Sequence, residues 1–507
     1  MFSKRIYMSL SAACLCLFLC TCSGQENPGA ATSPPTSISS CDADCPGEPT
    51  LNSFKVWTAY NASCGCVNSA IQGAASGDTI NIPAGEATWS SQLNLGAKKL
   101  SIIGNGIGST VISAASDSLS IFNLGTGGSR LSNMTINNKS GVLYVSGQGF
   151  IIDHIRYYSG NAQLPCGEIQ ITGAVHNEHP TGVIHSNEFI NTRITVIGAT
   201  QWNFTISPSS HELWSQNIGL GSANNVVYVE GNSFTITRDA EGNIMDSNYG
   251  GRYVFRYNEL ICTNTGVIAG HNLQVHSMQA NNRAAQLWEM YNNILNNQSS
   301  FSYFPFRIRG GTGVVFNNDI LGNWTNYGIG LDNVRSYDEV SDAGRCDGTA
   351  PTGWDGNSDA TGYPCRDQIG RGYDSVQWNH SPVAPYNQPL MPAYAWNNKK
   401  SDGTTEVPFM VIANSAQHIH LNRDAYNYTS TFNGTIGMGS GPFSARPNTC
   451  IVNTAYFATD QGPLGTLYKC TSTDNWSVYF TPCTCPHPLA GSGSCNPGVA
   501  GKAGYKQ

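Results

Sequence analysis

Six residues between positions 246 and 309 supply the side-chain types that proton abstraction beside a carboxylate requires. They are Asp246, His271, His276, Arg283, Arg307 and Arg309. An arginine can pair in bidentate fashion with a substrate carboxylate and so neutralise it. A histidine titrates in the range that suits a general base. The set therefore favours β-elimination on a uronate sugar, where neutralising the carboxylate makes the proton on C5 acidic.

A recurring asparagine predicts that these residues lie on neighbouring coils of a repeated structure. Short β-rich runs end at an asparagine that is followed, two positions later, by an apolar residue. This occurs at Asn187, Asn232, Asn258, Asn293 and Asn318. Coils of about 22–26 residues explain the spacing of these asparagines, if two coils lie between Asn187 and Asn232 and one coil with an insertion lies between Asn258 and Asn293. Stacked asparagines at one corner can then form a hydrogen-bonded ladder.

Residues at the same offset from this corner should stack about 4.8 Å apart on successive coils. Asp246, Arg283 and the pair Arg307 and Arg309 precede their asparagines by 9 to 12 residues. We therefore expect them on one side of three successive coils, beside an insertion that carries the two histidines.

A structural role for the same residues is the alternative. The arginines would pair with Asp246, Asp332 or backbone carbonyls and hold the coils in register, and the histidines would be ordinary loop residues. Several aromatic residues near this region could stack on sugar rings or fill the core, and a core position is favoured for most of them.

The composition favours an all-β chain and excludes some partners. Charged residues make up 12% of the 507 residues, glycine occurs 55 times, and the net charge is −7. Many turn-forming residues with little charge are typical of short strands joined by turns rather than of a helical bundle. Without a basic run, we expect neither nucleic acid nor an anionic membrane surface as a partner.

The order of patterns predicts a parallel β-solenoid with closed ends. Residues 67–75 have helical apolar spacing and precede the strand residues Thr79-Ile80-Asn81-Ile82. A short helix there would cap the first coil, whose apolar interior would otherwise be exposed. The predicted divisions are a cap at 51–98, coils at 99–335, late coils with a long loop at 336–445, and a small β-rich tail at 446–507. The tail is expected to cover the C-terminal end of the coils.

The N-terminus predicts export. Lys4 and Arg5 precede an apolar stretch that is too short for a membrane span, so residues 1–22 are typical of a signal peptide. Its end resembles a bacterial lipoprotein signal with a lipid anchor at Cys22, and cleavage without a lipid is the alternative. Residues 23–50 predict a flexible tether. We therefore expect a secreted or cell-surface-anchored protein without a transmembrane span.

The cysteines agree with export. Four of the 17 lie within the first 22 residues, and the remaining 13 are an odd number, so one thiol should be free. Cys262 lies in an apolar strand and is the predicted free thiol. The others cluster near the ends and in one loop, where disulfides would fasten a solenoid. A zinc site formed by Cys41, Cys45, Cys64 and Cys66 is the alternative.

These motifs together resemble the pectate-lyase-like superfamily of right-handed parallel β-helix proteins, in an exported bacterial branch. The resemblance rests on the cap residues Gly77-Asp78-Thr79-Ile80 with Ile82-Pro83-Ala84-Gly85, on the asparagine-marked coils and on the segment Arg309-Gly310-Gly311-Thr312. It covers roughly residues 50 to 490. It implies a single right-handed β-helix and a polysaccharide partner, and it is weak for the reaction because the superfamily includes lyases, hydrolases, esterases and non-catalytic adhesins.

Three functions remain open. The first is a lyase that cleaves an acidic glycan. The second is a non-catalytic surface protein that binds glycan or has a structural role. The third is a glycoside hydrolase, because Gly270-His271 and Arg307-Ile308-Arg309 resemble elements of the polygalacturonases, although the paired aspartates of that family are missing.

Asp355, Asn357 and Asp359, whose oxygen-bearing side chains alternate along the chain, are the candidate ligands of a calcium site, although an Asx-rich turn is the favoured interpretation. The pattern departs from an EF-hand, with Ala360 at the sixth position.

Overall fold

The computed structural model describes residues 45–159, 167–174, 178–198, 214, 216–237, 243–263, 271–277, 283–299, 304–333, 367–373, 389–412, 415–416, 418–491 and 495. Regular structure in these ranges is almost entirely β, as predicted. The strands form two large sheets of parallel strands and one small sheet near the C-terminus.

A short helix precedes the sheets. Helix α1 (Cys64–Gly73) begins at Ser63, whose hydroxyl accepts a hydrogen bond from the backbone N–H of Cys66. Val67, Ala70 and Ile71 form its buried face. The predicted helix is therefore confirmed.

The first ladder of strands begins with the antiparallel pair β1 (Thr50–Leu51) and β2. It continues through parallel strands in the order β2 (Val56–Thr58), β3 (Thr79–Ile82), β6 (Ser101–Gly104), β9 (Arg130–Asn137), β11 (Gln148–Tyr158), β13 (Thr181–His185), β16 (Val227–Glu230), β19 (Arg252–Arg256), β22 (Leu287–Tyr291), β25 (Thr312–Phe316), β28 (Ala393–Trp396) and β31 (Ala425–Asn427).

The second ladder shares the long strands β9 and β11 with the first, so that the two form one 21-stranded sheet. Its other members are β4 (Gly85–Trp89), β7 (Thr110–Ala114), β14 (Glu188–Ile190), β17 (Ser233–Ile236), β20 (Glu259–Cys262), β23 (Ile294–Asn297), β26 (Asp319–Gly322) and β29 (Lys399–Lys400).

The third ladder is a separate ten-stranded parallel sheet. It consists of β5 (Leu93–Asn94), β8 (Phe122–Asn123), β10 (Val142–Ser146), β12 (Gly167–Thr172), β15 (Thr192–Ile197), β18 (Met245–Asn248), β21 (His271–Val275), β24 (Phe304–Ile308), β27 (Ile329–Leu331) and β30 (Phe409–Val411). The chain visits the three ladders in turn, which is typical of a β-solenoid.

One hydrophobic cluster runs through the ladders from Ala59 to Ala425. Side chains of a strand alternate between its two faces. In the third ladder the inward positions are occupied by apolar residues such as Met245, Leu273 and Phe306, which are completely buried. The polar residues between them consequently face outward.

The predicted asparagine ladder is confirmed. The side-chain amide of each asparagine donates to the side-chain oxygen of the next, from Asn187 through Asn232, Asn258, Asn293 and Asn318 to Asn398, at 2.8–3.3 Å. The preceding residues all have φ between +53° and +64°: Ser186, Gly231, Tyr257, Asn292, Asn317 and Asn397. One left-handed residue followed by a buried asparagine therefore builds each corner. The spacing did not reveal Asn398, which lies 80 residues after Asn318.

The small C-terminal sheet consists of β32 (Met438–Gly441), β33 (Ala455–Ala458), β34 (Thr466–Ser472) and β35 (Asn475–Phe480). Short 3-10 turns occur at Phe443–Ala445 and Pro488–Ala490. The sheet packs Phe457 and Phe480 against Phe316, on the outer face of the first ladder. It therefore covers the side of the ladders, and its first strand begins before the predicted boundary at 446.

Disulfides join Cys45 to Cys66, Cys450 to Cys470 and Cys485 to Cys495. Cys64 is disulfide-bonded as well, so the zinc alternative is wrong. Cys262 is a free buried thiol, as predicted, and Cys483 is a second one. Cys346 and Cys365 lie outside the described residues. Within the ranges given above, no helix is long and apolar enough to span a membrane.

Candidate functional site

The outer face of the third ladder carries a row of polar side chains. Asp246 lies opposite Thr195, and Gln274 lies opposite Arg307. Because Met245 pairs with Leu273, Asp246 and Gln274 are neighbours on adjoining strands. All four alternate with core residues, so the fold aligns them along one surface.

Asp246 lies at the centre of this row. Its Oδ2 accepts a hydrogen bond of 2.9 Å from Gln274 Nε2, and its Oδ1 accepts one of 2.8 Å from the backbone N–H of Ser247. Burial raises the pKa of Asp246 to about 7, against the opposing charges of Arg193 and Arg309. The carboxyl group can thus hold or release a proton near neutral pH.

His276 and Arg309 flank this carboxyl group. His276 Nε2 lies 3.6 Å from Asp246 Oδ2. The backbone N–H of Arg309 donates to the carbonyl of Val275, which places Arg309 beside His276 on the next coil. Three of the six predicted residues are therefore brought together.

Arg307 lies in the same row and is held by one acidic partner. Its Nε donates to Asp332 Oδ2 at 2.7 Å, and its side chain is 23% exposed. This is the partner that the structural alternative named. Among the described residues, however, the terminal nitrogens of Arg307 donate no hydrogen bond, so these two groups can still bind a carboxylate.

Arg283 lies away from this row. It precedes β22 and is completely buried, where Nε and Nη2 bind the two oxygens of Asp367 at 2.6 and 2.7 Å. Its guanidinium also lies 4.7 Å from the ring centre of Trp214. The expected place beside Asp246 is thus not observed, because the residue belongs to the connection between two ladders.

The remaining candidates are only partly described or not described at all. His271 begins β21, where its backbone lies opposite Phe304. Asp355, Asn357 and Asp359 lie outside the described residues, and so does Cys22. In the part of the chain that is described, no group of three or more His, Cys, Asp or Glu side chains could hold a metal ion.

Two charged residues of the site were missed from the sequence. Arg193 Nη2 lies 3.2 Å from Glu168 Oε2 on the neighbouring strand, and both charges act on the pKa of Asp246. The signal that could have revealed them is the alternation of polar and apolar residues in β12 and β15. Their offset from the corner asparagines did not predict them, because the number of residues between the third ladder and the next corner asparagine differs from coil to coil.

Comparisons with models of protein families, with curated proteins and with solved structures found no match. The family resemblance therefore stays a prediction. Its coarser content, large sheets of parallel strands typical of a β-solenoid, is confirmed.

Proposed function

We propose that this chain is an exported, single right-handed β-helix of the pectate-lyase-like kind, and that it cleaves an acidic glycan by β-elimination. The observation that carries the proposal is the outer face of the third ladder. There Arg307, whose terminal nitrogens bind no described residue, lies in one row with the titrating carboxyl group of Asp246. The signal-like N-terminus and the disulfides support export.

The reaction assigns a role to each group. Arg307 binds the uronate carboxylate, and the charge of Arg309 adds to its neutralisation. His276 removes the proton from C5, the electron pair forms the C4–C5 double bond, and the bond from C4 to the glycosidic oxygen breaks. Protonated Asp246 supplies the proton that the leaving oxygen takes up.

The direct test is incubation of the purified protein with a panel of uronate polymers, with and without Ca²⁺. We expect ultraviolet absorbance from the unsaturated product to rise on at least one polymer. An absence of unsaturated product on the whole panel would overturn the lyase proposal.

Arg307→Ala tests the site itself. Loss of a charge-stabilising donor should lower kcat/KM by about 100-fold or more. The melting temperature should also fall, because the variant removes an ion-pair partner of the buried Asp332, so activity is measured well below the melting temperatures of both variants. Arg156→Ala is the matched control, since Arg156 forms an exposed pair with Glu188 on the second ladder. Equal activity of the two variants would contradict the assignment.

A hydrolase is the second candidate, and the raised pKa of Asp246 favours it. A carboxyl group that stays protonated near neutral pH is what a glycosidase uses as its general acid. The same incubations distinguish the two reactions, since hydrolysis would create reducing ends without the unsaturated product. Binding without either product would favour the non-catalytic surface protein.

A further inference from the structure

An arginine stacked among aromatic rings lies on the outer face of the C-terminal sheet. The guanidinium of Arg446 lies 4.3 Å from the ring centre of Phe443, 4.7 Å from that of Tyr468 and 5.5 Å from that of Trp476. Tyr468 pairs with Val478 across β34 and β35, and Val478 is 62% exposed. The cluster therefore faces away from the ladders.

The guanidinium donors of Arg446 are not used by any described residue. In the described part of the chain its side chain forms no hydrogen bond and no ion pair, although the residue is only partly exposed. Asp460 accepts a hydrogen bond from the backbone N–H of Phe443 rather than from Arg446. A fixed guanidinium with unused donors is suited to bidentate binding of a carboxylate.

The surrounding rings are held in place. Trp476 Nε1 donates to the carbonyl of Pro447 at 2.8 Å. Cys470, which pairs with Trp476 across the two strands, is joined to Cys450 by a disulfide. The cation and the aromatic faces are consequently positioned before any ligand arrives, which lowers the entropic cost of binding.

We propose that Arg446, Tyr468 and Trp476 form a second glycan-binding site, specific for acidic sugars and separate from the candidate catalytic face. The carboxylate of a uronate unit binds the guanidinium, and the partly exposed rings pack against the apolar face of the sugar. The site would hold the chain on its polymer whether or not the third ladder is catalytic.

The test is calorimetric titration of the full chain carrying Arg307→Ala with galacturonate oligomers, and with neutral galactose oligomers as the control. This variant removes the carboxylate-binding arginine of the other site. We expect binding of the acidic oligomers only, and Arg446→Gln should weaken it by about tenfold or more. Unchanged binding in Arg446→Gln, no binding of the acidic oligomers, or equal binding of the neutral ones would each overturn the proposal.

Two substitutions of opposite charge at the exposed Val478 test the same site if Arg446→Gln fails to fold. Val478→Glu should repel the carboxylate and weaken binding, while Val478→Lys should strengthen it. Equal affinities for the two variants would again reject the site. Lyase activity is measured separately on chains with intact Arg307, so failure of one proposal does not imply failure of the other.

Discussion

Among the described residues, two carboxyl groups have strongly raised pKa values, and only one of them lies in the candidate site. Burial raises the pKa of both Asp246 and Glu289 to about 7. Glu289 accepts a hydrogen bond of 2.6 Å from the backbone N–H of Gly221, and its other oxygen forms none within the described ranges. Asp246 instead adjoins His276 on a polar surface. A perturbed pKa therefore indicates a site only together with its geometry.

The raised pKa makes a prediction about stability against pH. The folded pKa of Asp246 lies above the ordinary value of 3.8. The folded state therefore binds the proton more tightly, and its stability falls as pH rises from about 4 to about 7. Asp246→Asn removes this loss, which amounts to at most about 4 kcal/mol. We expect the melting temperature of the variant, relative to the unmodified protein, to increase across that interval.

Glu289→Gln should behave in the same direction, because its pKa is raised by the same cause. Asp117→Asn is the control, since Asp117 is half exposed in a surface pair with Lys139. Melting-temperature differences that stay constant with pH for Asp246→Asn would show that its carboxyl group titrates normally.

At the scale of elements, the corner asparagines connect the coils. Asn258 accepts hydrogen bonds from the backbone and side-chain nitrogens of Asn232. Its own amide donates to Val229 and to Asn293. Each corner asparagine is therefore hydrogen-bonded to the coil before it and to the coil after it. Its buried amide and the buried backbone groups around it thus have hydrogen-bond partners.

Asn258→Ala should destabilise the protein by about 3 kcal/mol, because it leaves several buried groups without partners. Urea unfolding followed by circular dichroism measures the loss. Asn68→Ala on α1 is the control, since its side chain accepts an exposed hydrogen bond from Gln72. A loss no greater than that of the control would mean that the ladder adds no stability.

At the scale of the whole molecule, one buried ion pair fastens the C-terminal segment to the first ladder. Arg256 binds Glu230 at 2.6 Å and also donates to the carbonyls of Cys483 and Thr484. The backbone N–H of His487 donates to the same glutamate. Three contacts between segments distant in sequence thus depend on a single pair.

Arg256→Ala should cost about 3–5 kcal/mol, because it leaves Glu230 buried and unpaired. It should also release the C-terminal segment, so limited proteolysis should cut after residue 480 while the ladders stay intact. The exposed pair of Arg156 and Glu188 again supplies the control, where loss of the arginine should cost less than about 1 kcal/mol. Equal protease resistance of the two variants would contradict the proposed fastening.

What the sequence determined by itself was local or repeated. The alternation of strand residues, the asparagine at each corner, the capping helix and the buried thiol of Cys262 all depend on short stretches of chain, and each is found in the structure. The row containing Asp246 and Arg307 was also partly predictable, because a repeated coil aligns equivalent positions.

The tertiary structure alone decided where the connections between ladders go. Arg283 pairs with Asp367, 84 residues later, and Glu230 contacts His487, 257 residues later. No periodicity links such positions, because a connection of variable length can place its residues on any side of a coil. For this reason Arg283 lies outside the row in which it was predicted, while Arg193 and Glu168, which were not predicted, lie in that row.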